Sequence, residues 1–367
     1  MSRLDELIQE LCPDGVEFMP IKDVYQRLKG TPITAAKMKE IERTDGNVRI
    51  FAGGKTVIDA YEEDIPKANI TRVPAVLVQS RGVIDAVYYE KPFTFKNEMW
   101  AYTHENKTAV KYLYYVLKNN MEKFREAASG MGSLPQISLK VTEDFLIPVP
   151  PLPVQSEIVK ILDNFTELTA ELTAELTARK KQYEFYRDKL LTFGDVRGGA
   201  TSDVVWRTLS EIAEISTGSS NTDDAVEGGR YPFFVRSQQP LAKDEYEYDE
   251  EAIITAGDGV GVGKVFHYIN GKYALHQRAY RIHPATGELL GKYLYHYFVA
   301  NFPKYIGQQM YQGSVPSIRR PMLNKFQVAI PSLAVQERLV NVLDNFDAIC
   351  SDLNIGLPAE IEARKKQ

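Results

Sequence analysis

The chain has few cysteines and no long apolar run. Cys12 and Cys350 are its only cysteines, too few and too far apart for a disulfide framework or a cysteine-built zinc site. No stretch approaches the ~18 consecutive apolar residues of a membrane-spanning helix. The N-terminal segment MSRLDELIQELCPDG places acids where a signal peptide needs an apolar core. We therefore expect a soluble, cytoplasmic protein.

A large excess of one charge is also missing. The 44 Lys and Arg residues face 49 Asp and Glu residues, for a net charge of −5, which excludes a histone-like polycation. The 21 Tyr and 16 Phe residues exclude a disordered chain. A length of 367 residues predicts about two domains, each large enough for its own core.

No motif of a known catalytic or metal site is complete. GGKT at Gly53–Thr56 ends like a phosphate-binding loop, but Arg49 occupies the required earlier glycine position. GDGVGVGK at Gly257–Lys264 does not fit G-x-G-x-x-G, and its alternating glycines favour a strand or turn that allows close backbone approach. H-E-x-x-H, C-x-x-C, G-x-S-x-G and the N/D-P-P-F/Y turn of amino-methyltransferases do not occur. We therefore expect no active site and no bound metal in this chain.

The sequence is instead dominated by an internal repeat. GSLPQI at Gly132–Ile137 returns as GSVPSI at Gly313–Ile318, 181 residues later. The same offset relates KYLYYVL (Lys111–Leu117) to KYLYHYF (Lys292–Phe298), and the LDNF of Leu162–Phe165 to that of Leu343–Phe346. So long a match without gaps indicates a tandem duplication. Four of the five histidines lie in the second half, so they do not form a duplicated catalytic set.

Each half combines short buried strands, such as PAVLVQ (Pro74–Gln79) and EAIIT (Glu251–Thr255), with helices. The predicted fold class is therefore α/β (α+β), with two similar globular domains related by a pseudo-twofold duplication. The boundaries that we predict are residues 1–152 for the first domain, 153–195 for a long helix, 196–333 for the second domain and 334–367 for a second long helix.

The first long helix follows from a stretch without glycine. Between Pro153 and Phe193 the only proline is the first residue, and the stretch corresponds to a helix of about 60 Å. Two T-A-E-L repeats span Thr169–Leu176. The matching helix from Ala334 carries Gly356 and Pro358 and looks shortened. We expect the two helices to pair as an antiparallel coiled coil; a plain dimerisation coiled coil is the alternative.

Charge is distributed unevenly along each half. Residues 259–336 contain nine Lys or Arg and a single acid, Glu288. Basic segments with interspersed Gln, Asn and Tyr are typical of chains that hold phosphates and contact base edges. The predicted DNA-contacting residues are Lys55, Gln79, Arg81, Lys96, Asn97, Arg236, Gln238, Gln239, Lys264, Gln277, Arg278, Gln308, Gln309 and Tyr311. The alternative is that these charged runs are only solvated surface.

These segments resemble a known family. The repeated G-S-[LV]-P-x-I, the segment PLPVQSEIVKILDNF, the segment ARKKQYEFYRDKLL and the opening LCPDGVEF resemble the DNA-specificity subunit of type I restriction-modification systems. The resemblance covers both halves. It implies two target recognition domains, each reading one half of a bipartite, asymmetric site in double-stranded DNA.

The resemblance also implies partners. Two modification (methyltransferase) subunits would dock on the long helices and recruit restriction subunits, and S-adenosylmethionine, ATP and Mg would belong to those subunits. On the first helix the candidate partner-binding residues are Leu168, Leu172, Leu176, Arg179, Lys180 and Tyr183. The T-A-E-L repeats would set the spacer between half-sites. Because the second helix is short, the N-terminal helix (Ser2–Leu11) is expected to cover part of the missing surface.

Two other functions remain open at this point. One is an enzyme with its own methyltransferase or nuclease site, which would need a motif that the sequence lacks. The other is a structural scaffold without base reading. The sequence therefore favours a non-catalytic DNA-recognition subunit.

Overall fold

A computed structural model describes residues 2–129, 134–193, 204–307, 316–351 and 356–366. The chain forms two compact units, Met1–Leu168 and Thr169–Gln367, here called the first and second unit. The division falls inside the long helix, whereas the sequence placed domain ends at residues 152, 195 and 333. Those domain boundaries stay a prediction.

The first unit mixes short helices with nine strands among its described residues. Its helices are α1 (Arg3–Leu11), α2 (Ile21–Val24), α3 (Ala35–Ile41), α4 (Lys107–Asn119), α5 (Met121–Glu126), α6 (Leu139–Glu143) and the start of α7 (Leu152–Leu190). Its strands are β1 (Phe18–Pro20), β2 (Gln26–Leu28), β3 (Val48–Phe51), β4 (Val57–Ala60), β5 (Ala75–Gln79), β6 (Asp85–Tyr89), β7 (Phe93–Phe95), β8 (Trp100–Thr103) and β9 (Leu146–Pro148).

The core of the first unit is built around β5. Strands are ordered β2-β8-β5-β6 in one sheet and β4-β3-β7 in a second, and β1 pairs with β9. All five residues of β5 are buried, because Val76 and Val78 pack into one apolar cluster while Ala75 and Leu77 pack into another. A strand covered on both faces reads as the continuous apolar run seen in the sequence.

The second unit repeats this arrangement. Its strands are β10 (Val205–Thr208), β11 (Ala213–Thr217), β12 (Tyr231–Phe234), β13 (Leu241–Lys243), β14 (Tyr248–Ala256), β15 (Phe266–Leu275), β16 (Ala279–Pro284) and β17 (Gln327–Ile330). Its helices, besides the end of α7, are α8 (Leu209–Ile212), α9 (Gly291–Gly307), α10 (Arg320–Asn324), α11 (Leu333–Ser351) and α12 (Gly356–Lys366). The sheet order is β11-β16-β14-β15-β12-β13, with β10 paired to β17.

The two units differ at one strand. In the second unit β15 runs unbroken, pairing with β14 through Tyr273 and with β12 at Ala274 and Leu275. In the first unit the same path is divided into β6, which pairs with β5, and β7, which pairs with β3. Pro92 lies in the break, and proline has no N–H to donate to a strand partner. The shared strand order confirms the predicted mixed fold with two similar units.

The long helix α7 covers 39 residues without interruption, close to the predicted range. The predicted second long helix is two elements, α11 and α12, and residues 352–355 between them lie outside the described residues. In the first unit, Leu7 of α1 packs with Val154 at the start of α7. Coiled-coil pairing of the long helices stays a prediction, as does the N-terminal helix's cover of the second helix. None of the helices in the described ranges is both long and apolar enough to cross a membrane.

Candidate nucleic-acid interface

Three loops of the first unit meet around the segment that contains the repeated motif. They are the turn after β3 (Gly53–Lys55), the loop after β5 (Ser80–Gly82) and the turn before β8 (Lys96–Glu98). Backbone hydrogen bonds join Lys96 N–H to Phe51 C=O at 2.9 Å, and the Ser80 hydroxyl donates to the Glu98 carbonyl at 2.5 Å. The φ of +69° at Lys55 belongs to the left-handed region, which tightens the first turn.

The repeated motif anchors the middle loop. Gly82 N–H donates to Pro135 C=O and Ile137 N–H donates to Ser80 C=O, both at 2.9 Å. Gln136 is thereby bridged to Arg81. This bridge gives the segment around Gln136 a structural task, which is to hold the loop after β5.

The predicted DNA residues of the first unit differ in exposure. Lys55, Arg81 and Asn97 are exposed, and within the part of the chain that the structure describes no carboxylate pairs with Lys55 or Arg81. Lys96 is half-buried and pairs with Glu98 at 3.0 Å. Gln79 is only 3% exposed, because it is the last residue of β5, a strand that is covered on both faces. A base contact through Gln79 would therefore require the loop to open, and we remove this residue from the candidates for direct reading.

The second unit brings together the same three loops. The Gly259 N–H donates to Pro316 C=O at 2.9 Å, and Ile318 N–H donates to Gly257 C=O at 2.8 Å. Ser317 is bridged to Asp258, as Gln136 is to Arg81. The turn before β16 joins through Gly257 N–H, which donates to Arg278 C=O at 2.8 Å. The repeated motif therefore has the same anchoring task in both units.

Side chains of these loops form a charged group in the second unit. Asp258 contacts Arg236 Nη1 at 2.6 Å through Oδ1 and Arg278 Nη1 at 3.3 Å through Oδ2. Gln277 is exposed, and its side-chain amide donates to Asn221 Oδ1. Gln238, Gln239 and Lys264 are exposed on the adjoining loops. The predicted residues Gln308, Gln309 and Tyr311 lie outside the described residues.

A buried histidine stiffens the turn that carries Arg278. His276 is 4% exposed, and its Nδ1 accepts the backbone N–H of Arg278 at 2.9 Å. Burial lowers the pKa of His276, and the neighbouring guanidiniums of Arg236 and Arg278 lower that pKa further. The ring therefore stays neutral near pH 7 and keeps its acceptor atom.

Three charged residues near these loops were not among the candidates predicted from the sequence. Arg319 and Arg320 are exposed directly after the anchored Ile318, and their place after the repeated motif was the available signal. Asp258 was not predicted, because it lies one residue before the basic segment 259–336. Among the described residues no group of three or more His, Cys, Asp or Glu is placed to hold a metal.

Other repeated residues have structural tasks. Gln155 and Gln336 are both buried, and each donates through Nε2 to a proline carbonyl, Pro150 or Pro331, at 2.8 Å. They fix the starts of α7 and α11.

The aspartates of the two LDNF segments join helices. Asp163 of α7 accepts from Lys111 at 2.7 Å and from the Tyr115 hydroxyl at 2.5 Å, both on α4. Asp344 of α11 contacts His296 of α9 at 2.7 Å. The segments that match best between the two halves therefore provide contacts that hold helices and strands in place. The loops between these segments carry the exposed charges.

The predicted partner-binding residues lie along α7. Leu168, Arg179 and Lys180 are exposed, and Leu172 and Leu176 are half-buried. Tyr183 is also half-buried, and its ring stacks on Phe346 of α11 with centroids 6.4 Å apart. Arg179 pairs with Glu175 one turn earlier, at 2.6 Å. The partner-binding role of these residues stays a prediction.

Comparison with known proteins agrees with this geometry. Residues 13–179 and 201–363 each match the model of the type I restriction modification DNA specificity domain. The chain belongs to the family of type I restriction-modification specificity subunits. Each match spans one sheet region and much of the helical segment that follows it. The family supports a DNA-recognition subunit without catalysis over the enzyme that the sequence left open.

Two full-length relatives cover the chain. The type I restriction enzyme EcoR124I/EcoR124II specificity subunit of Escherichia coli is 30% identical over 401 residues, covering 100% of this chain and 95% of the relative. A putative type I restriction enzyme specificity subunit of Haemophilus influenzae is 31% identical over 387 residues, covering 96% and 93%. The crystal structure of the type I restriction-modification S subunit from M. genitalium has the same fold, with a TM-score of 0.62 at 17% identity over 96% of this chain and 94% of that chain.

Proposed function

We propose that this chain directs a type I restriction-modification complex to a bipartite, asymmetric site in double-stranded DNA, with one half-site read by each unit. The observation that carries the proposal is the repeated meeting of three loops in both units. The scaffold contacts around these loops are the same, whereas their exposed side chains differ. Different side chains on equal scaffolds read different base sequences, so the two half-sites differ.

The partners in this proposal are two modification subunits and the restriction subunits that join them, in the cytoplasm. The modification subunits methylate adenine, and S-adenosylmethionine, ATP and Mg are held by the partners. Exposed apolar side chains on α7, including Leu168 at 40% exposure and Phe185 at 62%, support a docking surface on this helix.

The T-A-E-L repeats act as a ruler in this proposal. Each four-residue unit adds about 6 Å to a helix, and both repeats lie within the uninterrupted helix α7. Deleting Thr173–Leu176 or duplicating it therefore changes the spacer by one or two base pairs and leaves both half-sites unchanged. Methylation mapping of the edited complex measures this, and an unchanged spacer would remove the ruler from the proposal.

DNA binding by the loops is tested through its salt dependence. In the complex with the modification subunit, the double variant Lys55→Ala/Arg81→Ala lowers the slope of log K against log[salt] by about 1 to 2, because each lost phosphate contact accounts for about 0.9. Lys39→Ala is the matched control, since Lys39 is an exposed cation on α3. Fluorescence anisotropy with a labelled duplex gives both slopes. Equal slopes for the wild type, the double variant and Lys39→Ala would show that Lys55 and Arg81 contact no phosphates. That result would favour the scaffold without base reading.

A further inference from the structure

Asp258 occupies an unusual place among the loops of the second unit. It lies two residues after the end of β14 and contacts an arginine from each of the other two loops, Arg236 after β12 and Arg278 before β16. Its side chain is 27% exposed, against 38% for Arg236 and 60% for Arg278. The carboxylate thus lies behind two guanidiniums that reach further into solvent.

The contacts leave most of each guanidinium available. Asp258 accepts from Nη1 of Arg236 and from Nη1 of Arg278. In the ranges that the structure describes, Nε and Nη2 of Arg278 have no hydrogen-bond partner. An arginine that donates two hydrogen bonds to O6 and N7 of guanine makes the commonest specific contact in the major groove. Fixing a guanidinium beforehand reduces the entropy lost when it binds.

Hydrogen bonds hold the backbone beneath this group on both sides of the turn. Gly257 N–H donates to Arg278 C=O at 2.8 Å, and a Cβ at Gly257 would lie 2.6 Å from that oxygen. His276 accepts the Arg278 N–H from the other side of the turn. The position of Arg278 relative to Asp258 is therefore set by the main chain as well as by the ion pair.

From this geometry we infer that Asp258 is a positioning residue for specificity, and that it presents Arg236 and Arg278 to a guanine-containing half-site. The inference rests on the proposed function and deepens it for the second unit. The first unit has the opposite arrangement. Arg81 takes the position of Asp258, and the carboxylate Glu98 lies on the turn before β8, paired with Lys96. Guanine reading through a paired arginine set is therefore specific to the second unit.

The test first assigns the half-site. Val260 is 90% exposed and lies two residues beyond Asp258. A photocrosslinking amino acid at position 260, in the complex with the modification subunit, marks the half-site that faces this loop. A crosslink to a half-site that contains guanine is expected. A half-site without a G–C pair, or a complex that binds DNA without crosslinking at this loop, overturns the inference.

The second step measures discrimination. Asp258→Asn keeps the shape of the side chain and removes its charge, so the arginines lose their fixed position. The preference for guanine over the other bases in the marked half-site is expected to fall by about 5- to 100-fold, the range of one bidentate contact. The preference at the other half-site stays as in the wild type. Asp244→Asn is the matched control, because Asp244 pairs with Arg230 at 3.7 Å on the surface of the same unit.

Arg278→Lys completes the test, because lysine keeps the charge but lacks the bidentate fork. It is expected to lose guanine preference while retaining non-specific binding and the wild-type urea midpoint. If Asp258→Asn and Arg278→Lys both discriminate as well as Asp244→Asn does, the inference is wrong while the proposed function stands. If the wild-type complex itself prefers no bipartite site, the proposed function fails first.

Discussion

The two units share a scaffold and differ in the loops that the scaffold holds. Both anchor the loop after the central strand to the repeated motif, through Arg81–Gln136 in one and Asp258–Ser317 in the other. At those bridged positions, however, the first unit has a cation and the second has an anion. The two copies of the repeat therefore keep the same main-chain contacts, while the charges on their equivalent loops differ.

The largest expected effect concerns the buried glutamines that start α7 and α11. Gln336 makes three hydrogen bonds, to Pro331 C=O, Glu288 C=O and Leu290 N–H, whereas Oε1 of Gln155 has no partner among the described residues. Gln336→Ala therefore costs roughly 3–5 kcal/mol and Gln155→Ala about 1–2 kcal/mol, since each buried group left unpaired costs about 1–3 kcal/mol.

Urea unfolding measures this difference for each unit separately. The chain has two tryptophans, and Trp100 lies in the first unit while Trp206 lies in the second. Trp206→Phe leaves a probe of the first unit, and Trp100→Phe leaves a probe of the second. Equal losses of stability from Gln155→Ala and Gln336→Ala would show that the two units use this glutamine alike.

An exchange at the loop after the central strand breaks the comparison directly. Ser80 has a side chain where the second unit has Gly257, whose Cβ would meet Arg278 C=O at 2.6 Å. Gly257→Ser is expected to destabilise the second unit by about 1–3 kcal/mol through overpacking and to weaken guanine discrimination. Ser80→Gly is expected to cost the first unit about 1–3 kcal/mol, because it removes the buried hydroxyl that donates to Glu98 C=O and also adds chain entropy. The tryptophan probes report both, and a tolerant Gly257→Ser would refute the close packing of these loops.

The smallest effect is a pH dependence confined to the second unit. Burial is the largest cause lowering the pKa of His296, which contacts Asp344 and lies near Lys292 and Asp347. A lowered pKa in the folded state means that the unfolded chain binds more protons. The contribution of His296 to the stability of the folded unit is therefore fully present above pH 6.5 and is lost as the pH drops below that value.

Between pH 7.5 and 5.5 we expect His296 to account for up to about 1 kcal/mol of lost stability in the second unit. His296→Tyr places a tyrosine at the position that Tyr115 occupies in the first unit. We expect it to remove the part of the pH-dependent stability loss that is due to His296. Unfolding followed through Trp206 at both pH values checks it. A loss that is the same with and without His296 would assign the pH dependence to other groups.

Much of the scaffold could be predicted from the sequence because duplication marks it. The repeated segments around Gln155, Asp163 and Ile137 all make hydrogen bonds that hold helices and loops in place. The break between β6 and β7 was not predicted, because a proline signals a break only once its strand neighbours are known. The burial of Gln79 was likewise hidden, since a polar residue that ends a strand covered on both faces looks like any exposed loop residue.

From the sequence, the candidate site could be predicted only as a set of chain segments, and the arrangement of its charged side chains could not be predicted. The exposure of Lys55, Arg81 and Arg278 could be predicted because charged side chains lie mostly at the surface, while their contacts with DNA stay a prediction. The role of Asp258 depends on three loops that are distant in sequence and meet only in the fold. The distribution of charge along the sequence therefore cannot predict that these three loops come together.

The most direct test of the account is a map of methylated adenine. The chain is co-expressed with its modification subunit in a host that lacks adenine methylation, and the genome is read by long-read sequencing. We predict a split motif, methylated once on each strand, with two different half-sites separated by a spacer of fixed length. A continuous motif, or no motif in an assembled complex, would contradict the claim that each unit reads one half-site.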